Sequence, residues 1–121
     1  MDLTTSTRQV GDVAIVDISG RIVLGEESAA LRNLIGDLLK NGQKKILLNL
    51  GDVSYIDSSG LGQLVSTFTT VRKQDGELKL FNLTNKVVDV LQITKLYTIF
   101  DIGNNEADAL KSFARSTSAT A

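Results

Sequence analysis

Between Val13 and Ile18 the chain reads Val-Ala-Ile-Val-Asp-Ile, a β-branched run that suits a buried strand. A polar, Thr-rich stretch precedes it, ending at Val10 and followed by Gly11-Asp12. Glycine at the first central position of a two-residue connection takes a positive φ without steric cost, so a type II′ hairpin and an antiparallel first strand pair are expected. Beyond Gly20, Leu31, Leu34, Ile35, Leu38 and Leu39 recur at steps of three and four, with Arg32, Asn33, Asp37 and Lys40 on the other side. That spacing predicts an amphipathic helix, closed at Asn41-Gly42, where Gly42 can take the left-handed conformation of a helix C-terminus.

Lys45-Ile46-Leu47-Leu48-Asn49-Leu50 is almost continuously apolar, as expected of a central strand covered on both faces. A loop from Gly51 to Gly60 follows, then a second helical stripe of Leu61, Leu64, Val65, Phe68 and Val71 that ends at Gln74-Asp75-Gly76. Glu77 to Leu83 alternates as a strand, and a strand, helix, strand unit of this length favours a parallel pair. Thr84 or Asn85 is expected to cap a third helix carrying Val87, Val88 and Leu91, with Ile99-Phe100-Asp101-Ile102 as a short edge strand. Asn104 or Asn105 then caps a final helix with Ala107, Leu110, Phe113 and Ala114 inward. With no internal repeat and no proline or Gly/Ser linker, one α/β domain is expected: a mixed sheet of four to five strands packed against about four helices.

Composition narrows the chemistry. The 121 residues carry 13 Lys+Arg against 14 Asp+Glu, so no basic field exists to neutralise a row of phosphates, and nucleic acid is not an expected partner. Neither cysteine nor histidine occurs, which removes disulfides, thiolate zinc sites and the commonest metal ligand and general base. No metal, cofactor or catalytic activity is expected. No apolar run is long enough to span a bilayer and the first residues do not form a leader peptide, so the expected location is the cytoplasm. Asn82-Leu83-Thr84 fits a glycosylation acceptor, a pattern with meaning only in a secreted chain.

The informative segment is Val53-Ser54-Tyr55-Ile56-Asp57-Ser58-Ser59-Gly60-Leu61-Gly62, which leads from the central strand into the second helix. Loops at the carboxyl ends of parallel strands gather ligand contacts, and a helix N-terminus offers unpaired N–H groups with partial positive charge. One serine hydroxyl can cap the helix while the other stays accessible, and Gly60 and Gly62 leave the backbone open to close approach. Taken by itself, Asp57-Ser58-Ser59-Gly60 is also consistent with a plain N-cap.

This segment resembles the signature of the STAS family, in particular its bacterial anti-sigma-factor antagonists, in which an Asp-Ser-Ser/Thr-Gly-Leu-Gly turn follows an apolar strand. The likeness in element order runs from Leu3 to Phe113, with residues 1–115 as one STAS domain and 116–121 as a flexible tail. The resemblance implies that Ser58 is the residue phosphorylated by a partner that is both anti-sigma factor and serine kinase, with Ser59 left as the structural cap. It implies a cycle in which the unmodified protein binds the anti-sigma factor and frees a sigma factor, phosphorylation ends the binding, and a serine phosphatase restores it. Asp57, Ser58, Ser59, Gly60, Leu61 and Gly62 are the expected partner-binding residues. Where many antagonists read Gly-Glu-Leu-Asp, this chain has Gly20-Arg21-Ile22-Val23-Leu24-Gly25-Glu26-Glu27, which bears on which kinase is recognised rather than on the fold.

Three other readings compete. A phospho-aspartate receiver needs carboxylates converging on one magnesium site, whereas Asp12 and Asp17 flank a single apolar strand. A serine hydrolase with Ser58 as nucleophile needs a base, and Lys73, Lys79 and Lys86 show no spacing that brings one to it. A STAS scaffold or transport-associated interaction module with an unmodified serine turn remains open.

Overall fold

A computed structural model of the chain describes residues 3–23 and 26–120, with the backbone alone over 26–28 and 114–120. Strand β1 (Leu3–Val10) turns back through Gly11 and Asp12 into β2 (Val13–Ile22), with Val10 paired to Val13. Gly11 has φ +60° and Asp12 stays at negative φ, the combination that a II′ turn requires. Helix α1 (Glu26–Lys40), strand β3 (Lys45–Ile56), helix α2 (Ser58–Lys73) and strand β4 (Glu77–Phe81) follow. Helix α3 (Asn85–Thr94), a 3₁₀ turn at Leu96–Thr98, strand β5 (Asp101–Gly103) and helix α4 (Glu106–Thr120) complete the order.

The sheet runs β1-β2-β3-β4-β5, antiparallel at β1/β2 and parallel thereafter. Alternation along the strands divides the core into two sides. Val16 and Ile18, Ile46, Leu48 and Leu50, and Leu78 and Leu80 meet Leu31, Ile35 and Leu39 of α1, Leu61, Leu64 and Val71 of α2, and Val87 and Leu91 of α3. On the opposite face Val13, Ile15, Leu47 and Phe81 meet Ala109 and Phe113 of α4. Three helices thus cover one face and one covers the other, which explains why β2 and β3 read as near-continuous apolar runs.

Several expectations shift. β3 does not end at Leu50 but continues to Ile56, because Gly51 and Asp52 sit at a bulge and not a turn. Between the Asp17/Asn49 and Ser19/Asp52 pairs β3 advances one residue more than β2, and it does so again before Arg21/Tyr55. β4 stops at Phe81, since Asn82 turns the chain at φ +64°. Phe100 is not a strand residue: it is buried edge-on against Phe68, with ring centres 5.3 Å apart, and β5 begins one residue later. Thr84 precedes α3 without capping it, its hydroxyl donating instead to the Val53 carbonyl at 3.2 Å.

Asn105 does cap α4, accepting from the Asp108 amide at 2.9 Å. The inward face of that helix is Ala109 and Phe113 with Leu110 half-buried, while Ala107 is exposed, because the helix rolls to bring Ala109 against Gly103. Lys79 is buried under α4, where its ammonium lies 2.9 Å from Asp101, donates to the Ser112 carbonyl and sits 4.9 Å from the Phe113 ring centre. Ala114 and the 116–121 tail lie outside the residues whose side chains are described, although the α4 backbone runs to Thr120.

A polar chain ties the α4 face together. Arg8 donates to both Asp17 carboxylate oxygens at 2.7 and 2.9 Å and to Glu106 at 3.0 Å. Asn49 donates to Asp17 at 2.8 Å and accepts from Asn82 and from the Gly51 amide. The Arg8 hydrogen bonds hold the Asp17 carboxyl below its ordinary range, with Asn49 adding to the effect and partial burial opposing it. A depressed carboxyl contributes stability above its unfolded value of about 4 and loses that contribution as pH falls through the folded value. Thermal unfolding followed below about pH 4 should therefore show a shallower acid decline for Asp17→Asn than for the parent protein. Identical acid limbs would show that the network carries no linked proton.

Candidate functional site

The turn between β3 and α2 is built from its backbone outward. Asp57 leaves the strand extended, at φ −107° and ψ 178°, and is the N-cap of α2. Its Oδ1 accepts from the Gly60 amide at 2.7 Å, and its carbonyl accepts from the Leu61 amide at 2.9 Å. This corrects the expectation that Ser59 is the cap. Serine and aspartate both cap well, but the helix starts at Ser58, so the N-cap position belongs to the residue before it. Ser58 and Ser59 are both exposed in the first helical turn, and neither hydroxyl is needed to close it.

Gly60 sets how closely this turn approaches the sheet. A Cβ there would fall 1.9 Å from the Ile22 carbonyl oxygen, so only glycine lets the first turn of α2 rest on the end of β2. Leu61, 1% exposed, continues into the core beside Ile22 and Ile56. Of the six expected partner-binding residues, Ser58, Ser59 and Gly62 face solvent and Asp57 is half-buried, whereas Gly60 and Leu61 are inside. The last two can position a surface but not form one.

The structure adds neighbours that spacing along the chain does not reveal. Arg21 and Tyr55 are register partners at the carboxyl ends of β2 and β3, and the guanidinium lies 5.2 Å from the centre of the ring. Tyr55 is 39% exposed and Arg21 is exposed, so together they form a stacked cationic and aromatic rim near the serines. Ser54 donates to the Gly20 carbonyl at 3.3 Å across the second bulge. Thr84 on Val53 fixes the start of α3 beside the same strand end. Of the departing Gly20–Glu27 segment, Leu24 and Gly25 and the side chains of Glu26 and Glu27 lie outside the described residues.

Among the described residues no group of three or more acidic side chains gathers where a metal ion could be held. Of the lysines weighed as a base for Ser58, Lys79 is engaged by Asp101 under α4, on the other face of the sheet from α2. No helix among the described residues is long and apolar enough to cross a membrane.

A STAS domain model matches residues 4–109 of the chain. The chain belongs to the STAS family. Its STAS domain is 37% identical over 102 residues to the anti-sigma-B factor antagonist of Bacillus subtilis (strain 168), covering 84% of this chain and 92% of that one. It is 34% identical over 90 residues to the anti-sigma-B factor antagonist of Listeria monocytogenes, covering 71% and 79%. Among solved structures, the crystal structure of a putative anti-sigma factor antagonist from Thermotoga maritima superposes with a TM-score of 0.77 at 28% identity, over 89% of this chain and 92% of that one. The unphosphorylated form of the anti-sigma factor antagonist SpoIIAA shares the fold, with a TM-score of 0.75 at 19% identity over 92% and 96% of the two chains. The STAS fold expected from the signature, with its antiparallel first pair and four helices, is the fold observed.

Two substitutions separate cap from packing. Asp57→Ala should cost about 0.5–2 kcal/mol in urea unfolding, the usual loss for an N-cap acceptor. Ser59→Ala should cost almost nothing by the same measurement. A larger loss for Ser59→Ala than for Asp57→Ala would overturn the assignment of the cap.

Proposed function

We propose that this STAS domain is an anti-sigma-factor antagonist, a binding switch thrown by phosphorylation of Ser58. In the unmodified state it binds an anti-sigma factor that is also a serine kinase, and thereby releases a sigma factor. The kinase transfers the γ-phosphoryl group of ATP to the Ser58 oxygen. A new P–O bond forms there as the bond to ADP breaks, and the hydroxyl proton passes to a base on the kinase. A serine phosphatase then hydrolyses the ester with water and returns the hydroxyl. The chain is a substrate and a ligand in this cycle and performs none of the chemistry.

The observation that carries the reading is the exposure of Ser58 beside a cap that does not use it. A kinase can reach the hydroxyl without opening the helix, because Asp57 holds the first turn by itself. A phosphate on Ser58 would lie next to the Asp57 carboxylate, one residue away in the chain. Phosphorylation adds about −1.5 to −2 charges at pH 7. At a separation of about 6 Å the two groups repel by roughly 1 kcal/mol in bulk water and several times more in a partly dry interface. Any loss beyond about 1.4 kcal/mol weakens docking at least tenfold. The partial positive charge of the α2 N-terminus offsets part of the repulsion in the free domain, so the change is felt in docking rather than in folding. Asp57, Ser58, Ser59 and Gly62 form the contact surface, while Gly60 and Leu61 hold its shape.

The relatives named as anti-sigma-B factor antagonists support this assignment over a STAS scaffold with an inert turn. Incubation with the cognate anti-sigma kinase and ATP should add one phosphate, which fragment mass spectrometry locates on Ser58. Ser58→Ala should accept none and keep its binding to the kinase. Modification at another residue with Ser58 untouched, or an unmodified protein after full turnover of the kinase, would contradict the switch and favour the scaffold.

A further inference from the structure

Strand alternation leaves one strip of the sheet bare at the end where the serine turn sits. Ile22 and Ile56 close the core under α1, α2 and α3, so their neighbours Arg21 and Tyr55 turn to the opposite face. There α4 covers Val13, Ile15 and Leu47, and its first turn is tied at Glu106 through Arg8 to Asp17, well short of Arg21 along β2. Arg21 and Tyr55 are accordingly exposed, as are Asp52 and Ser54 on the same stretch of β3. The backbone is shaped to bring the pair together. Without the extra residue that β3 carries between Gly20/Val53 and Arg21/Tyr55, Arg21 would face Ser54 and Ile22 would face Tyr55. Gly20, just before Arg21, takes φ +104°, a conformation that favours glycine, and its carbonyl accepts from the Ser54 hydroxyl at 3.3 Å. The result is a guanidinium 5.2 Å from the Tyr55 ring centre. Stacking uses the face of a guanidinium, whose N–H donors lie in its plane, where a carboxylate accepts two of them side by side. An exposed stack of this kind stabilises a fold by only about 0.5–1 kcal/mol, whereas Arg and Tyr are among the side chains that most often carry the energy of a protein interface.

We propose that Arg21, held on the Tyr55 ring, is a specificity determinant of the docking surface and takes a carboxylate of the anti-sigma kinase. This rests on the reading of the serine turn as the place where that kinase docks. The two surfaces are continuous, because Gly60 rests on the carbonyl of Ile22, the residue after Arg21, and only Ile56 separates Tyr55 from Asp57. A partner lying over the ends of β2 and β3 meets both. Within the turn the Asp57 carboxylate is committed to the Gly60 amide, and Arg21 is the cation beside it. A partner carboxylate complements that cation, and a lysine or arginine in the same place would be repelled, which is how the pair discriminates between kinases. The same carboxylate gives the switch a part that acts between the two proteins. Repulsion between the phosphate and Asp57 lies within one chain, whereas a dianion on Ser58 repels the partner's carboxylate across the interface.

Titration calorimetry of the unphosphorylated protein with its cognate anti-sigma kinase tests the assignment. Arg21→Ala should bind at least about tenfold more weakly, with a shallower salt dependence, and Arg21→Glu more weakly still, with far-UV circular dichroism unchanged in both. Tyr55→Phe keeps the ring and should bind like the parent, while Tyr55→Ala should lose affinity along with Arg21→Ala. Lys73→Glu makes the same change of charge on an exposed residue at the far end of α2 and should leave the affinity within about twofold. Folded Arg21 variants that bind as well as the parent, or a loss that Lys73→Glu reproduces, would overturn the proposal and leave the Ser58 switch standing. Loss of binding in Arg21→Glu, together with undiminished binding of the Ser58-phosphorylated parent, would sink the switch and keep this contact. A parent chain that does not bind the kinase overturns both.

Discussion

The contact on which the site depends is the seating of the first turn of α2 on the end of β2. Gly60 brings its backbone against the Ile22 carbonyl at a distance that no side chain would allow. Three consequences follow from it. Leu61 reaches the core between β2 and β3, the Asp57 carboxylate is held over the first amides of the helix, and the two serines are left on the outer side of the turn. The exposure of Ser58 is therefore a product of core packing, because the residues around it are fixed from below. The bulges in β3 belong to the same construction, since they adjust the strand so that its end and the end of β2 arrive together at the turn.

The electrostatics of the turn fit a switch that acts on docking. A helix N-terminus welcomes negative charge, and here Asp57 already occupies it through the Gly60 amide. A phosphate on Ser58 would enter a place that is favourable to an anion in general and unfavourable beside this one. In the free protein, water screens much of that conflict; in a complex the water leaves and the conflict grows. The Arg21 and Tyr55 stack on the neighbouring strand ends extends the surface on which a partner would rest, with a cation and an aromatic ring in place of a purely polar rim.

Much of this was legible in the residues, and what was hidden was hidden for physical reasons. β2, α1 and the hairpin were readable because two-sided burial, a 3.6-residue stripe and a glycine that needs positive φ leave strong local marks. The second half of β3 was not readable, since Gly51-Asp52 looks like a turn in one dimension and becomes a bulge only when β2 is laid beside it. The close of α2 at Gln74-Asp75-Gly76 was readable, though not its geometry: Asp75 takes the left-handed position at φ +63°, and Gly76 is glycine because a Cβ would meet Lys44 and Val71. At the signature turn the residue types identified the place correctly, but which of three cap-forming side chains does the capping depends on the frame of the helix. Arg21 and Tyr55 lie far apart in the chain and become neighbours only through strand register.

The claim beneath the functional account is that one covalent change at an exposed hydroxyl controls association without altering the fold. The most direct measurement is titration calorimetry of the cognate anti-sigma factor against two preparations, one unmodified and one stoichiometrically phosphorylated on Ser58, with their thermal unfolding recorded alongside. The account predicts at least about tenfold weaker binding for the phosphorylated protein, together with closely similar unfolding curves. Equal affinity for the two preparations, or a loss of binding that merely follows a loss of folded structure, would contradict it.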